Sequence, residues 1–140
     1  LDCVKEINEA IKNRDFWMPF ALTILSDKQK KIIFNNKKIG CDYMTIAFDT
    51  KKDFVENIKA GTHQYDLTVR PQILKRESNE KYYNLINHFY KITGIPAVLN
   101  TSLNLHGNPI SSSLKDVIHT FKASGLKYLY LDDQYLIEKK

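Results

Sequence analysis

Metal-binding and redox motifs are the first things this sequence lacks. Cysteine occurs twice, at Cys3 and Cys41, far apart and with no CxxC spacing, so neither a thiolate zinc site nor a thioredoxin-like pair can be built from it. The four histidines, His63, His88, His106 and His119, fall into no HExxH or similar pattern. No metal site is expected in the chain. A disulfide between them is possible but nothing in the sequence supports it; two isolated thiols read as reduced cysteines of a cytosolic protein, so the expected location is cytoplasmic. No apolar run approaches the ~18 residues of a membrane span. The opening Leu1-Asp2-Cys3-Val4-Lys5-Glu6 contains acids and lacks the apolar core of a signal peptide. No membrane partner is therefore expected. No initiator Met is present, and we read the chain as a piece of a longer protein. Walker A, GxGxxG and GxSxG patterns are missing too, which excludes a standard Gly-rich phosphate cradle and a serine-hydrolase elbow.

What remains is an ordinary globular composition. The 140 residues are 43% hydrophobic and 26% charged, enough to bury one core, and a single domain over 1–140 is expected. Net charge is +5, with 21 Lys and Arg against 16 Asp and Glu. Much of the excess lies in Lys28, Lys30, Lys31, Lys37, Lys38, Lys51 and Lys52. Such runs read as a solvated face, a nucleic-acid surface or a field that gathers anions.

Periodicity sets the elements. Val4, Ile7 and Ile11 predict a short helix over 2–14. Phe20 to Leu25 reads as a buried strand, followed by a helical turn from Gln29 to Phe34 that Ser26 could cap. Strands are expected at Met44 to Phe48 and Ile58 to Thr62, with Pro71 at an edge or bend. The clearest helix spans Asn79 to Thr93, with Tyr82, Leu85, Ile86 and Phe89 on its apolar side and Gly94 ending it. Ala97 to Leu99 is a short strand. A second helix starts at Ser113 and ends at Gly125, and a hairpin around Asp132-Asp133 closes the chain. The fold class is α/β or α+β, with a mixed sheet and helices packed on it.

Three polar segments interrupt buried-looking sequence. The first is Arg14-Asp15-Phe16-Trp17-Met18-Pro19-Phe20-Ala21, where Arg14 can present a planar fork of donors to phosphate or carboxylate. The plainer reading pairs it with Asp15. The second is His63-Gln64-Tyr65-Asp66-Leu67-Thr68-Val69-Arg70-Pro71-Gln72. If it is extended, Asp66, Thr68, Arg70 and Gln72 share one face. Arg70 then brings charge, Thr68 and Gln72 bring neutral donors, and Asp66 holds Arg70; the alternative is an exposed edge strand with an internal ion pair. The third is Asn100-Thr101-Ser102-Leu103-Asn104, directly after a buried strand. Ligands gather at such strand ends in α/β folds, although a turn satisfied by its own side chains would look the same.

Taken in order, these segments resemble the C-terminal domain of the O-carbamoyltransferase family, which includes nodulation-factor and antibiotic-tailoring enzymes. The matching residues are the Arg14 to Ala21 segment, His63-x-x-Asp66-x-Thr68-x-Arg70-Pro71-Gln72, Thr93-Gly94-x-Pro96, Asn100-Thr101-Ser102-x-Asn104 and Gly107-x-Pro109-Ile110. The resemblance covers nearly the whole chain. It departs at Leu22, where the family commonly has Pro, at Leu103, often Phe, and at Asn108, often an acid.

The resemblance implies a YrdC-like open twisted mixed sheet that binds carbamoyl phosphate and ATP, the latter with Mg2+, and forms carbamoyl adenylate. It also implies an N-terminal actin-like ATPase domain in the same chain. That domain would carry a divalent metal such as iron and pass the carbamoyl group to a hydroxyl of a small molecule or saccharide. By position, Arg14, Arg70, Asn100 and Ser102 correspond to the phosphate- and nucleotide-contacting set, with Arg14, Arg70 and Asn100 as the catalytic candidates. His63, Asp66, Thr68, Gln72 and Asn104 complete the binding set. The alternatives from other classes are a basic nucleic-acid-binding module and a non-catalytic docking domain. The separation of the polar segments from the lysine runs disfavours nucleic acid.

Overall fold

The computed structural model describes residues 2–13, 15 and 19–140, and for Asp2, Cys3 and Val4 the backbone alone. In chain order its elements are α1 (Asp2–Ile7), β1 (Ala21–Leu25), β2 (Phe48–Asp49), β3 (Thr68–Val69), β4 (Pro71–Leu74), α2 (Glu80–Thr93), β5 (Ala97–Asn100), α3 (Leu114–Ala123), β6 (Tyr128–Leu131) and β7 (Tyr135–Glu138). The chain is α+β. It divides into two compact units, Phe16–Thr101 and the pair of segments Leu1–Asp15 with Ser102–Lys140.

The Phe16–Thr101 unit is built around β1. Leu22, Thr23, Ile24 and Leu25 are all buried, the pattern of a strand covered on both faces. It lies between β4, which runs parallel to it, and β5, which runs antiparallel. Pro71 opens β4 on the sheet's edge, where the lost N–H breaks no central ladder. One face of this mixed sheet, carrying Leu22, Ile24, Ile73 and Ala97, packs on Ile32, Ile33, Cys41, Phe48, Ile58 and Val69. Cys41 is free, its thiol donating to the Pro71 carbonyl at 3.1 Å.

The opposite face receives α2, where Leu25 and Leu74 meet Ile86, Tyr82 and Tyr83. Asn79 caps that helix by accepting from the Tyr82 N–H at 3.0 Å, and Gly94 ends it at φ 76°. The packed stripe is rotated from the expected one. Leu85 and Phe89 are exposed, because Tyr83 rather than Leu85 turns toward the sheet.

Several local expectations are corrected. Ile58 to Thr62 is not a strand: Lys52–Gly61 coils into 3-10 turns, placing the one buried apolar side chain, Ile58, against the core. The Met44 to Phe48 strand shrinks to Phe48–Asp49, paired with β3. The turn at Gln29–Lys31 has no side-chain cap, so Ser26 does not serve as one. Asp66 to Arg70 is not extended throughout, since Leu67 sits at φ 58°.

In the other unit α1 runs into a wider π-type turn, Asn8–Lys12, and stops at Asn13 with φ 45°. Ser113 and Asp116 form a reciprocal capping box on α3, which satisfies two orphan N–H donors at once. That helix ends at Ser124, one residue before the expected Gly125. Gly125 serves another purpose: its N–H donates to the Ala10 carbonyl at 2.7 Å, and a Cβ there would lie 3.1 Å from the Ala10 Cα. The β6–β7 hairpin turns through Asp132 and Asp133, both at positive φ, which Asp tolerates better than most residues.

Candidate functional site

Sheet register creates the main polar cluster. Thr23 pairs in register with Gln72 on β4, while Ala21 pairs with Asn100 on β5. Alternation puts Thr23, Gln72 and Asn100 on the face that α2 covers, but toward the end beyond Leu25 and Leu74. Their side chains connect. Tyr82 donates its hydroxyl to Thr23 Oγ1 at 3.2 Å, and Thr23 donates to Gln72 Oε1 at 3.1 Å. Asn100 Nδ2 donates to the same Gln72 oxygen at 3.2 Å and lies 3.7 Å from Met44 Sδ.

Thr23 is 0% exposed, so its hydroxyl has no water to fall back on and both bonds are needed. Gln72 and Asn100 are only half-buried. Among the described residues, Gln72 Nε2 and Asn100 Oδ1 have no protein partner, which leaves an amide NH2 and an amide oxygen for solvent or a ligand. Arg70 stands just before Pro71, at the same end of the sheet as Asn100. It is exposed and, among the described residues, carries no ion pair.

His63, Asp66 and Thr68 form a second group with a different purpose. Asp66 Oδ1 accepts from the Thr68 N–H at 2.9 Å and from the Thr68 hydroxyl at 2.8 Å, and lies 3.1 Å from His63 Nδ1. Those bonds close the turn into β3 and, led by the Thr68 N–H, hold the Asp66 carboxyl below its usual range. Asp66 does not hold Arg70, as the extended reading expected. With Leu67 in the left-handed region, its carboxylate folds back on its own turn instead.

In the unit formed by Leu1–Asp15 and Ser102–Lys140, a buried cation organises the third motif. Lys12 is 3% exposed. Its ammonium donates to the Ser102 carbonyl, to Ser102 Oγ at 3.1 Å and to Asn104 Oδ1 at 2.6 Å. Ser102 donates its own proton to Asn104 Oδ1 at 2.6 Å, and Asn104 Nδ2 donates to the Asn108 carbonyl at 2.6 Å. Both predicted side chains are therefore engaged within the chain. Their oxygens gather around an ammonium, which suits the high cost of burying a charge without donors and acceptors around it.

The structure thus joins Gln72 to Asn100, and Ser102 to Asn104, and groups His63 with Asp66 and Thr68. Arg14, the first catalytic candidate, lies outside the described residues. Four participants were not singled out in the sequence: Lys12, Thr23, Met44 and Tyr82. The signal that could have found Thr23 is its place as the one polar residue inside an apolar strand. Lys12 carried no such signal, because the π-type turn shifts the helical phase that would have marked it. No group of three or more His, Cys, Asp or Glu gathers as metal ligands among the described residues, and none of their helices is long and apolar enough to cross a membrane.

Fold and cluster together define an α+β domain with a neutral hydrogen-bonding row at one end of a mixed sheet, beside an arginine that has no ion pair among the described residues. Residues 2–139 match the family model described as Carbamoyltransferase C-terminus, and the chain belongs to that family. An uncharacterized protein of Methanocaldococcus jannaschii is 41% identical over 135 residues, covering 96% of this chain and 25% of the relative. The nodulation protein NolNO of Sinorhizobium fredii is 32% identical over 96% of this chain and 20% of its own length. For nodulation protein NolO of Bradyrhizobium diazoefficiens the figures are 30%, 96% and 24%. The chain spans about a quarter or less of the length of these relatives.

Proposed function

We propose that this domain takes part in carbamoyl transfer by binding carbamoyl phosphate and ATP and forming carbamoyl adenylate. The remainder of a longer chain then passes the carbamoyl group to an acceptor hydroxyl. The observation that carries this reading is the open Gln72–Asn100 pair at the sheet end where Arg70 stands with no ion pair among the described residues. A carbamoyl group has one NH2 and one carbonyl oxygen, which the free Asn100 oxygen and Gln72 amide nitrogen can meet. Arg70 supplies the charge that phosphate requires. Reaction between two small polyanions is mostly positioning and charge neutralisation, so the chemistry calls for no covalent protein nucleophile. Family membership supports the same reading. Arg14 joins the set by its place in the matching motif, with Mg2+ held mainly by phosphate and water.

Calorimetric titration of the chain with ATP and with carbamoyl phosphate tests the proposal. Arg70→Ala is expected to weaken phosphate binding by about 1.5–3 kcal/mol. Equal affinity of wild type and variant for both ligands would remove Arg70 from the site. Failure of wild type to bind either ligand would remove the reading.

A further inference from the structure

The lysine runs, scattered in sequence, meet at one place in the Phe16–Thr101 unit. Phe34 donates its N–H to the Asp49 carbonyl at 2.9 Å, Lys51 donates to the Ile32 carbonyl at 2.8 Å, and Ile33 bridges Thr50. This short antiparallel contact lays the 29–38 segment beside 49–52. A concavity of about 360 Å³ opens there, with Lys30, Phe34, Asn36, Lys38 and Lys51 among its lining residues. No carboxylate lines it.

Two other lysines of these runs are already engaged. Lys28 pairs with Asp27 at 2.8 Å, and Lys31 donates to the Tyr90 hydroxyl at 2.6 Å. Lys30, Lys38 and Lys51 have no ion pair among the described residues. Three like charges around one hollow repel one another, and an anion held in the hollow offsets that repulsion. The hollow also has a ring. Phe34 is 52% exposed, with the Lys51 ammonium 5.6 Å from its centroid. Lys38 adopts φ 52°, a conformation that costs a β-carbon residue energy and that clusters where a site needs it.

We infer that this concavity is a separate anion-binding site for a phosphorylated small molecule. Its ammonium groups take the phosphates, and the Phe34 ring and Asn36 amide take the body of the ligand. The volume favours a small molecule, since it lies near the lower end of the roughly 300–1,000 Å³ typical of ligand pockets. A nucleic-acid strand would need a groove rather than a hollow. The inference does not rest on the carbamoyl reading.

The test is amide-resolved NMR titration of the chain with inorganic pyrophosphate, alongside the double variant K38E/K51E and the milder K38Q/K51Q. Saturable shifts are expected from Ile33 to Lys38 and at Thr50 and Lys51. The charge-reversed variant should bind at that place about tenfold or more weakly. Arg70→Ala should leave those shifts unchanged, which separates this site from the one at the sheet end. If the reversed variant does not fold, the glutamine variant carries the test, with an expected loss of about threefold or more. Undiminished binding at this place by a folded variant overturns the inference. So do shifts confined to Arg70, Gln72 and Asn100. Binding of a single-stranded oligothymidylate with a steep salt slope, but not of pyrophosphate, would also overturn it and make this a strand-binding face.

Discussion

The two polar clusters solve opposite problems. Around Thr23, Gln72 and Asn100 every group is neutral, and each is placed by a strand whose register is set by a ladder of backbone bonds. Around Lys12 a charge is buried, and loop oxygens from Ser102 and Asn104 are bent toward it. The first cluster ends in unused hydrogen-bonding groups. The second spends the Ser102 proton and the Asn104 amide within the chain. A rigid frame with spare donors can receive a ligand, whereas a filled shell around a cation mainly fixes the loop that supplies it.

Breaking each cluster should therefore give different signatures. The largest stability effect is expected from Asn104→Leu, which takes the 2.6 Å acceptor from a buried ammonium. Bonds to charged groups are worth about 1.5–3 kcal/mol, and urea unfolding should show a loss in that range. An unchanged midpoint would mean that Asn104 does not hold the cation. Gln72→Leu should cost about 1–3 kcal/mol by stranding the Thr23 hydroxyl and Asn100 amide, and should also weaken carbamoyl phosphate binding in calorimetry. Loss of stability with intact binding would contradict the receptive role given to that cluster. Ser113→Ala removes a capping box whose bonds involve no residue of either polar cluster. It should lower stability by about 1 kcal/mol and leave ligand affinity as it was.

The smallest effect is on titration. Tyr83 donates to Asp27 at 2.6 Å, and this bond, aided by burial, pushes its pKa from 10.0 up to about 12. Because the folded value is raised, the stabilisation is complete below the unfolded pKa near 10 and disappears as pH climbs through about 12. Tyrosinate absorbance of wild type against Tyr83→Phe should therefore lose a late-ionising component. Loss of an ordinary one near pH 10 would show that the Asp27 bond is absent in solution.

How much of this could be read beforehand depends on distance along the chain. The two long helices were legible because Asn79 and Gly94, and Ser113 with Asp116, carry their signals within a few residues of each end. Leu67 was not, because a left-handed Leu between Asp66 and Thr68 is set by the turn that the carboxylate closes, not by Leu itself. Arg70, Gln72 and Asn100 were picked out by residue type and motif. Their partners were hidden, because Thr23 meets Gln72 only through parallel pairing of β1 with β4. Lys12 was hidden for a similar reason, since its acceptors lie some ninety positions away.

The central place of β1 also dictates an order of events. It is the earliest strand of its sheet in sequence, yet both of its neighbours, β4 and β5, come much later. While the chain is being synthesised, the apolar stretch Leu22-Thr23-Ile24-Leu25 must wait for Pro71 to Leu74 and then for Ala97 to Asn100 before either edge is paired. Long loops must close before those contacts yield any return, which makes such topologies slow to fold. The strand that organises the finished core is thus the segment most exposed to mispairing on the way there.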